Sequence, residues 1–456
     1  MRVHLMLPFL AMLTACSAPP SLAPPSPELP SSWSTSALSA EPMPGWLTSL
    51  NDPVLEQLVS EALAHNPSLA AQREAVAAAV AALSATDADR FPALSLELGS
   101  RRQEDSDAVQ SLDLSLSWTP DLWGELDARS RQAALQFAAE QAALDEAREA
   151  LVAEVSQNWF KLQEAQMLLA LYTQRRDNLQ QNLEIIESNY RQGLSEALDL
   201  YLARNNVNEE AARVEQQQQA LGELKRSLEQ ALGRYPSAAL SAGTELPLLE
   251  ADIPAGLPAD ILRRRPDLQQ AWLNLMASDA ALAAAHRDRF PALTLSGSYG
   301  GSSDTLSNLV SSGNLAWTLG ASLVQTLFDA GRKEAVQDQA LSARREQEQR
   351  WLEAVFAALV EVENALSART HLQARYQLYL KAEKNALNAE QLAFERYRNG
   401  LESFTTVLEA QRRSLDAQTS VINLRQQLLT NRIELYRALG GRFSARMTAE
   451  PETDAS

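Results

Sequence analysis

The chain repeats itself in register, and internal repetition decides architecture before any single motif does. Arg90-Phe91-Pro92-Ala93-Leu94-Ser95-Leu96 returns as Arg289-Phe290-Pro291-Ala292-Leu293-Thr294-Leu295, 199 positions on. Asn66-Pro67-Ser68-Leu69 returns as Arg265-Pro266-Asp267-Leu268 at the same offset. Tyr190-Arg191-Gln192-Gly193-Leu194 returns as Tyr397-Arg398-Asn399-Gly400-Leu401, now 207 positions on, and Ala231-Leu232-Gly233 and Ala438-Leu439-Gly440 close the copies at that offset. Chance supplies one such match, not a collinear series of four. Each copy reads as helix, strand hairpin, long helix and return helix.

Four short segments alternate apolar and polar residues. Leu94, Leu96 and Leu98 interleave with Ser95 and Glu97; Leu112, Leu114, Leu116 and Trp118 interleave with Asp113, Ser115 and Ser117. The second copy sets Leu293, Leu295 and Tyr299 against Thr294, Ser296 and Ser298, and Leu315, Trp317, Leu319 and Leu323 against Thr318, Gly320 and Ser322. Polar turns at 101–107 and 302–313 join the pairs as hairpins. Each segment has about ten residues, the length of a tilted membrane-crossing strand. A half-buried soluble sheet alternates in the same way. The membrane reading gains from Trp118 and Trp317 near strand ends and from the lack of any further strand to pair with. A membrane sheet must close, and about eight strands is the smallest closed barrel. If these strands enter a membrane, several chains must share one barrel.

Long proline-free stretches separate the hairpins. From Gly124 to about Ser188, and from Gly331 to about Tyr397, the sequence predicts helices near 100 Å long at about 1.5 Å per residue. Val155, Leu162, Leu169, Leu183 and Tyr190 form one seven-residue series. Leu352, Leu359, Leu366, Leu380, Leu387 and Phe394 form its counterpart. Leu200, Val207, Val214, Leu221 and Leu228, and Leu408, Leu415, Ile422, Leu429 and Tyr436, continue the pattern in return helices of about 38 residues. Such spacing specifies coiled-coil packing. A soluble antiparallel bundle explains these helices equally well, but not the strands. Gly193 and Gly400 stand where a helix C-terminus needs a left-handed residue.

The N-terminus reads as an export signal: Arg2, an apolar stretch from Leu5 to Leu13, then Leu13-Thr14-Ala15-Cys16. The apolar stretch is too short to span a bilayer. Leu-Thr-Ala-Cys resembles the processing box of bacterial lipoproteins, in which the exposed cysteine takes up lipid. Cys16 is the single cysteine of the chain, so no disulfide forms within it. Two or three acyl chains anchor stably, and Ser17 in place of aspartate fits lipoproteins sent to the outer membrane. Residues 17–45 are rich in Pro and Ser and predict an extended tether. The formal charge of −18 argues against a nucleic-acid partner, which needs clustered cations.

Catalysis has no visible constellation. The four histidines (His4, His65, His286, His371) are scattered, and no metal-ligand spacing, phosphate-binding glycine loop or nucleophile elbow occurs. The glycine-rich run Gly297–Gly301 reads as an extracellular hairpin at a strand end. No catalytic, cofactor or metal site is expected.

The lipoprotein box, the duplication, the Phe-Pro-Ala-Leu strand starts, the run from Leu257 to Leu268 and the Tyr-x-x-Gly turns together resemble the TolC-like outer membrane factors. The branch most alike is the lipoprotein efflux subunits of the OprM and NodT type, over residues 45–441. The resemblance implies a mainly α fold with a small β part: a homotrimer with a twelve-stranded transmembrane barrel, a long periplasmic helical barrel and an equatorial belt. It implies an exit duct for small molecules, working with a periplasmic adaptor and an inner-membrane pump of the resistance-nodulation-division type. Type I protein secretion, metal-ion export and a pore-less scaffold remain alternatives. On this reading residues 1–15 are signal, 16–45 tether, 46–233 first repeat with hairpin 91–118, 234–258 equatorial linker, 259–441 second repeat with hairpin 290–323, and 442–456 tail.

In that family the helical barrel narrows at its periplasmic tip, just after the second Tyr-x-x-Gly turn, where acidic residues are common. Here Thr405-Thr406-Val407-Leu408-Glu409-Ala410-Gln411 occupies the position. Glu409 falls on the second acid, Thr406 replaces the first, and Thr405 replaces a frequent leucine. Tyr397 matches a tyrosine that often bonds across helices, Glu402 replaces an arginine, and Asp199 lies at the matching turn of the first copy. A lone glutamate on a helix is also an ordinary solvated residue. The adaptor is expected to dock near Gly193 and Gly400.

Overall fold

The structure is a computed structural model that describes residues 25–35, 45–104, 107–243, 245–248, 253–311 and 313–443. Cys16 and its acylation signal lie outside the described residues. Helices α1 (Pro53–His65) and α2 (Pro67–Ala88) lead into strands β1 (Ala93–Arg101) and β2 (Val109–Trp118). Helices α3 (Glu125–Arg191) and α4 (Ala197–Ala231) complete the first copy. The second copy runs through a single turn at Ile261–Arg264, then α5 (Pro266–Arg287), β3 (Ala292–Ser303), β4 (Ala316–Val324), α6 (Arg332–Arg398) and α7 (Phe404–Ala438). α3 and α6 have 67 residues each, and α4 and α7 have 35 each. The chain divides into two compact units, and each draws on both repeats: 73–144 with 267–355, and 29–72 with 145–266 and 356–443.

In the first of these units the four strands form one antiparallel sheet in the order β1-β2-β3-β4. Its register gathers the apolar residues in rows across all four strands. Leu96, Leu114, Tyr299 and Trp317 face one another in one row, and Leu94, Leu116, Gly297 and Leu319 in the next. The alternate rows are polar: Ser95, Ser115, Ser298 and Thr318 align, with Ser95 Oγ and Ser115 Oγ 2.7 Å apart. The sheet therefore has one hydrocarbon face and one hydroxyl face. Among the described residues β1 and β4 are edges without a partner strand, and Leu96 and Leu319 stay about two-thirds or more exposed. Gly297–Gly301 does not form the hairpin expected for it; it lies within β3. The reason is close backbone approach, since a Cβ on Gly300 would collide with the Leu112 carbonyl oxygen. Between α5 and α6 in this unit, Trp272 and Trp351 pack at 5.3 Å, and the buried Arg344 is held by Asp279 and Glu348.

The second unit is helical. Asp52 caps α1 by accepting from the backbone N–H groups of Val54 and Leu55, and also accepts from Trp159 Nε1 at 2.7 Å. Val155 and Leu162 in α3, Val214, Leu221 and Leu228 in α4, and Leu415, Leu429 and Tyr436 in α7 are buried as the seven-residue series requires. The series expected for α6 holds only in part. Leu366 is buried as expected, but Leu352 and Leu359 are half-buried and Leu387 is exposed, and Trp351, Val355, Ala358 and Val362 carry the buried stripe beside it. Alanine at 358 lets helices approach closely, so the apolar seam there is not marked by leucine. Segments near the two limits of the described residues also pack here: Gly45 N–H donates to the Arg442 carbonyl at 2.9 Å, Trp46 stacks on Tyr436, and Trp33 Nε1 donates to the Gly256 carbonyl at 3.1 Å.

Candidate functional site at the helix turns

Both long helices stop in the same way. The Gly193 N–H donates to the Tyr190 carbonyl (3.0 Å) and the Leu194 N–H to Asn189 (2.8 Å). The Gly400 N–H donates to Tyr397 (2.9 Å) and the Leu401 N–H to Arg396 (2.9 Å). This is the Schellman closure, and it needs a positive φ at the glycine, +73° and +69° here. Space does not require glycine, because nothing lies within 4 Å of an added Cβ at either position.

Beside the turns, four helices share one apolar core of Leu183, Ile186, Leu200, Ala203, Ala393, Phe404 and Val407. Tyr397 packs against it, 5.2 Å from the Phe404 ring. Its hydroxyl donates to Asp199 Oδ2 at 3.1 Å, with Ser195 Oγ at 3.5 Å. Partial burial, together with the neighbouring Asp199 carboxylate, holds the phenol above its ordinary pKa. Tyr397 and Asp199, singled out in the sequence, are thus brought together across the two repeats.

Glu409 is not brought to either of them. Its exposed carboxylate accepts from Arg412 (2.9 and 3.0 Å) and Arg413 (2.7 Å), one turn on along its own helix. Those hydrogen bonds lower its pKa. Thr405 and Thr406 serve the start of α7: Ser403 Oγ lies 2.8 Å from Thr405 Oγ1, and Thr406 Oγ1 donates to Glu402 at 3.1 Å. The Ser403 hydroxyl also caps the Thr406 N–H. The counterions of Glu409 were legible as i+3 and i+4 arginines, but the family pattern drew attention to the acid alone.

Farther from the turns, the mostly buried Arg175 of α3 lies 3.7 Å from Glu210 of α4 and 3.6 Å from Glu390 of α6. Burial raises the Glu210 pKa, against the pull of Arg213 and Arg175. No periodicity announced this cluster, because each member sits among solvated charges in the linear sequence. Among the described residues no group of acidic, histidine or cysteine side chains is placed to hold a metal ion.

The family model described as outer membrane efflux protein matches residues 58–234 and 257–441, one segment per repeat. The probable efflux pump outer membrane protein TtgC of Pseudomonas putida is 30% identical over 414 residues, covering 87% of this chain and 85% of the relative. The probable outer membrane lipoprotein SilC of Salmonella typhimurium is 28% identical, covering 80% of each. The solved outer-membrane channel OprN superposes with a TM-score of 0.84 at 27% identity, over 94% of this chain and all of that one.

Proposed function

The chain belongs to the outer membrane efflux protein family, and from that premise we propose that three copies form a passive duct whose closed end is held by the Tyr397–Asp199 contact. As an outer membrane component of a tripartite efflux system, the protein is a conduit, working with a periplasmic adaptor and an inner-membrane pump that supplies the energy. The strands enter the outer membrane and the long helices lie in the periplasm.

One observation carries the trimer. Four strands have an apolar face continuous across the sheet and two unpaired edges. In hydrocarbon an unpaired edge is too costly to persist, and three copies supply twelve staves, enough to close a barrel. The linker at residues 234–258 supplies the equatorial belt. The substrate is a small molecule delivered by a pump of the resistance-nodulation-division type, and no step in the duct is catalytic.

The gate works by exchanging helix contacts. Tyr397 ties α6 to α4 beside the glycine turns, so an adaptor seated near Gly193 and Gly400 can release it by shifting one helix pair against the other. Glu409 lines the narrow end with its arginines, so its ring is less negative than three bare carboxylates. The test is electrical: protein purified from outer membranes and added to planar bilayers gives discrete, low-conductance openings. A heat-modifiable trimer that conducts no ions in any state would remove the duct reading.

A further inference from the structure

We infer that the rim of the sheet carries a socket for a second copy of this chain: Leu327 and Phe328 of one copy seat on Phe91 of the next, with Val324 facing Glu97. The inference rests on the shared barrel proposed above and names the surface that closes it.

The template lies inside the chain, where the first repeat meets the second. Trp123, in the turn after β2, packs on Phe290 just before β3, with ring centroids 5.4 Å apart. Its Nε1 donates to the Pro291 carbonyl at 2.7 Å, and Arg287 donates to the Gly124 carbonyl beside it. Phe91 is the counterpart of Phe290, 199 positions earlier, and Gly331 the counterpart of Gly124, 207 positions later. Both glycines have positive φ, +78° at Gly124 and +85° at Gly331, so both turns enter their long helix in the same way. Phe91 is nonetheless 69% exposed, and Leu327 and Phe328, in the turn after β4, are 93% and 89% exposed. They are the two halves of a contact that one chain completes only once.

The repeat offsets also fix the strand register. Moving the pair Ala93–Ser117 forward by 199 and 207 positions gives Ala292–Val324, which is the pair observed. Ser117 faces Ser296 between β2 and β3. Moving Ser117 forward by 207 and Ser296 back by 199 sets Val324 of one copy against Glu97 of the next. By the same step Leu116–Gly297 becomes Leu323–Leu98, two leucines about two-thirds exposed on the hydrocarbon face. Apolar meets apolar across the seam, which a one-residue slip would undo. Both halves belong to one sequence, so a second copy is the occupant, and a head-to-tail contact of this kind can close a ring. The seam differs from its template in its polar ties. Ala88 stands in place of Arg287, and neither Leu327 nor Phe328 has an indole N–H to donate. At this rim the copies are joined by apolar burial.

Cysteine pairs in protein kept in outer membranes test the socket, since Cys16 is the chain's sole cysteine. Under mild oxidation Glu97→Cys with Val324→Cys should give cross-linked dimers and trimers. The yield should be roughly tenfold above Glu97→Cys with Ser322→Cys, because a disulfide spans only about 4.4–6.8 Å between Cα atoms. Phe91→Ala and Phe328→Ala should each lower the temperature at which the trimer dissociates. The double variant should fall no further than the worse single, as residues in contact do. If the alanine variants fail to assemble, the cysteine pairs alone decide. Equal cross-linking of the two pairs, trimers without any cross-link, or additive losses would overturn the socket while leaving the trimer standing. Wild-type protein that is monomeric in the membrane would instead remove the shared barrel itself.

Discussion

Tyr397 of α6 donates its hydroxyl to Asp199 of α4 at 3.1 Å, a bond between residues 198 positions apart that joins the two copies of the repeat beside their turns. The ring stays packed on Phe404, so Tyr397→Phe removes the bond and keeps the packing. The loss is about 0.5–1.5 kcal/mol per chain. The expected outcome is a more frequently open channel in planar bilayers, and greater entry of large antibiotics in cells. Wild-type conductance in both Tyr397→Phe and Asp199→Asn would dissociate this pair from gating.

Glu409 carries its own counterions, and that determines which substitution changes ion preference. Removing Arg412 and Arg413 together as glutamines should uncover the carboxylates and raise the cation-to-anion permeability ratio. Glu409→Ala should move it the other way. Reversal potentials under a salt gradient report both, and equal potentials in all three proteins would place Glu409 away from the narrow part of the duct.

Gly193 and Gly400 are needed for conformation alone. Alanine at either position forces a left-handed backbone at a cost of about 1–2 kcal/mol, with no steric clash to add to it. Asparagine, which tolerates this region, should recover part of the loss. Thermal unfolding of purified protein should rank glycine above asparagine above alanine at both turns. Equal melting of all three would mean the turns relax to another geometry.

The two faces of the sheet differ in what they tolerate. Leu96→Lys puts a charge on the hydrocarbon face near mid-strand and should cost about 2–4 kcal/mol. Ser115→Lys, on the hydroxyl face of the neighbouring strand, should cost much less. Yield of heat-modifiable trimer in outer membranes is the readout. A reversed order would invert the sheet.

Burial pushes the Glu149 carboxyl up to about 7 from its ordinary 4.5, against the opposing Phe443 N–H. Because the folded state favours the protonated acid, this contribution is full below about pH 4.5 and is lost as pH rises through about 7. Glu149→Gln should therefore be more stable than wild type at about pH 8, by at most about 3 kcal/mol, and equal to it near pH 4. Glu164, also raised to about 7, is common to both proteins. A stability difference that does not change with pH would show that Glu149 is not the titrating group.

Much of this fold is legible because repetition constrains it twice. A hairpin read at Leu94 predicts another at Leu293, and a turn at Gly193 predicts one at Gly400. The α6 seam escapes such a reading because alanine and tryptophan at 358 and 351 carry burial that a search for leucines overlooks. Gly300 and Gly301 mislead because a glycine pair marks a turn or a close approach equally well, and only the neighbouring strand's carbonyl distinguishes them. The pairing of Tyr397 with Asp199 is visible as two polar residues at equivalent turns. The Arg175 cluster is not, because its members are ordered by helix packing between elements far apart in the chain.

The unpaired edges of β1 and β4 also dictate a timetable. A lone chain in the periplasm would wet its leucine rows, and a lone chain in lipid would leave backbone donors dry along both edges. Neither waiting room is comfortable. Entry into the bilayer and recruitment of sister chains must therefore happen together, which makes maturation steeply dependent on how many copies arrive at once.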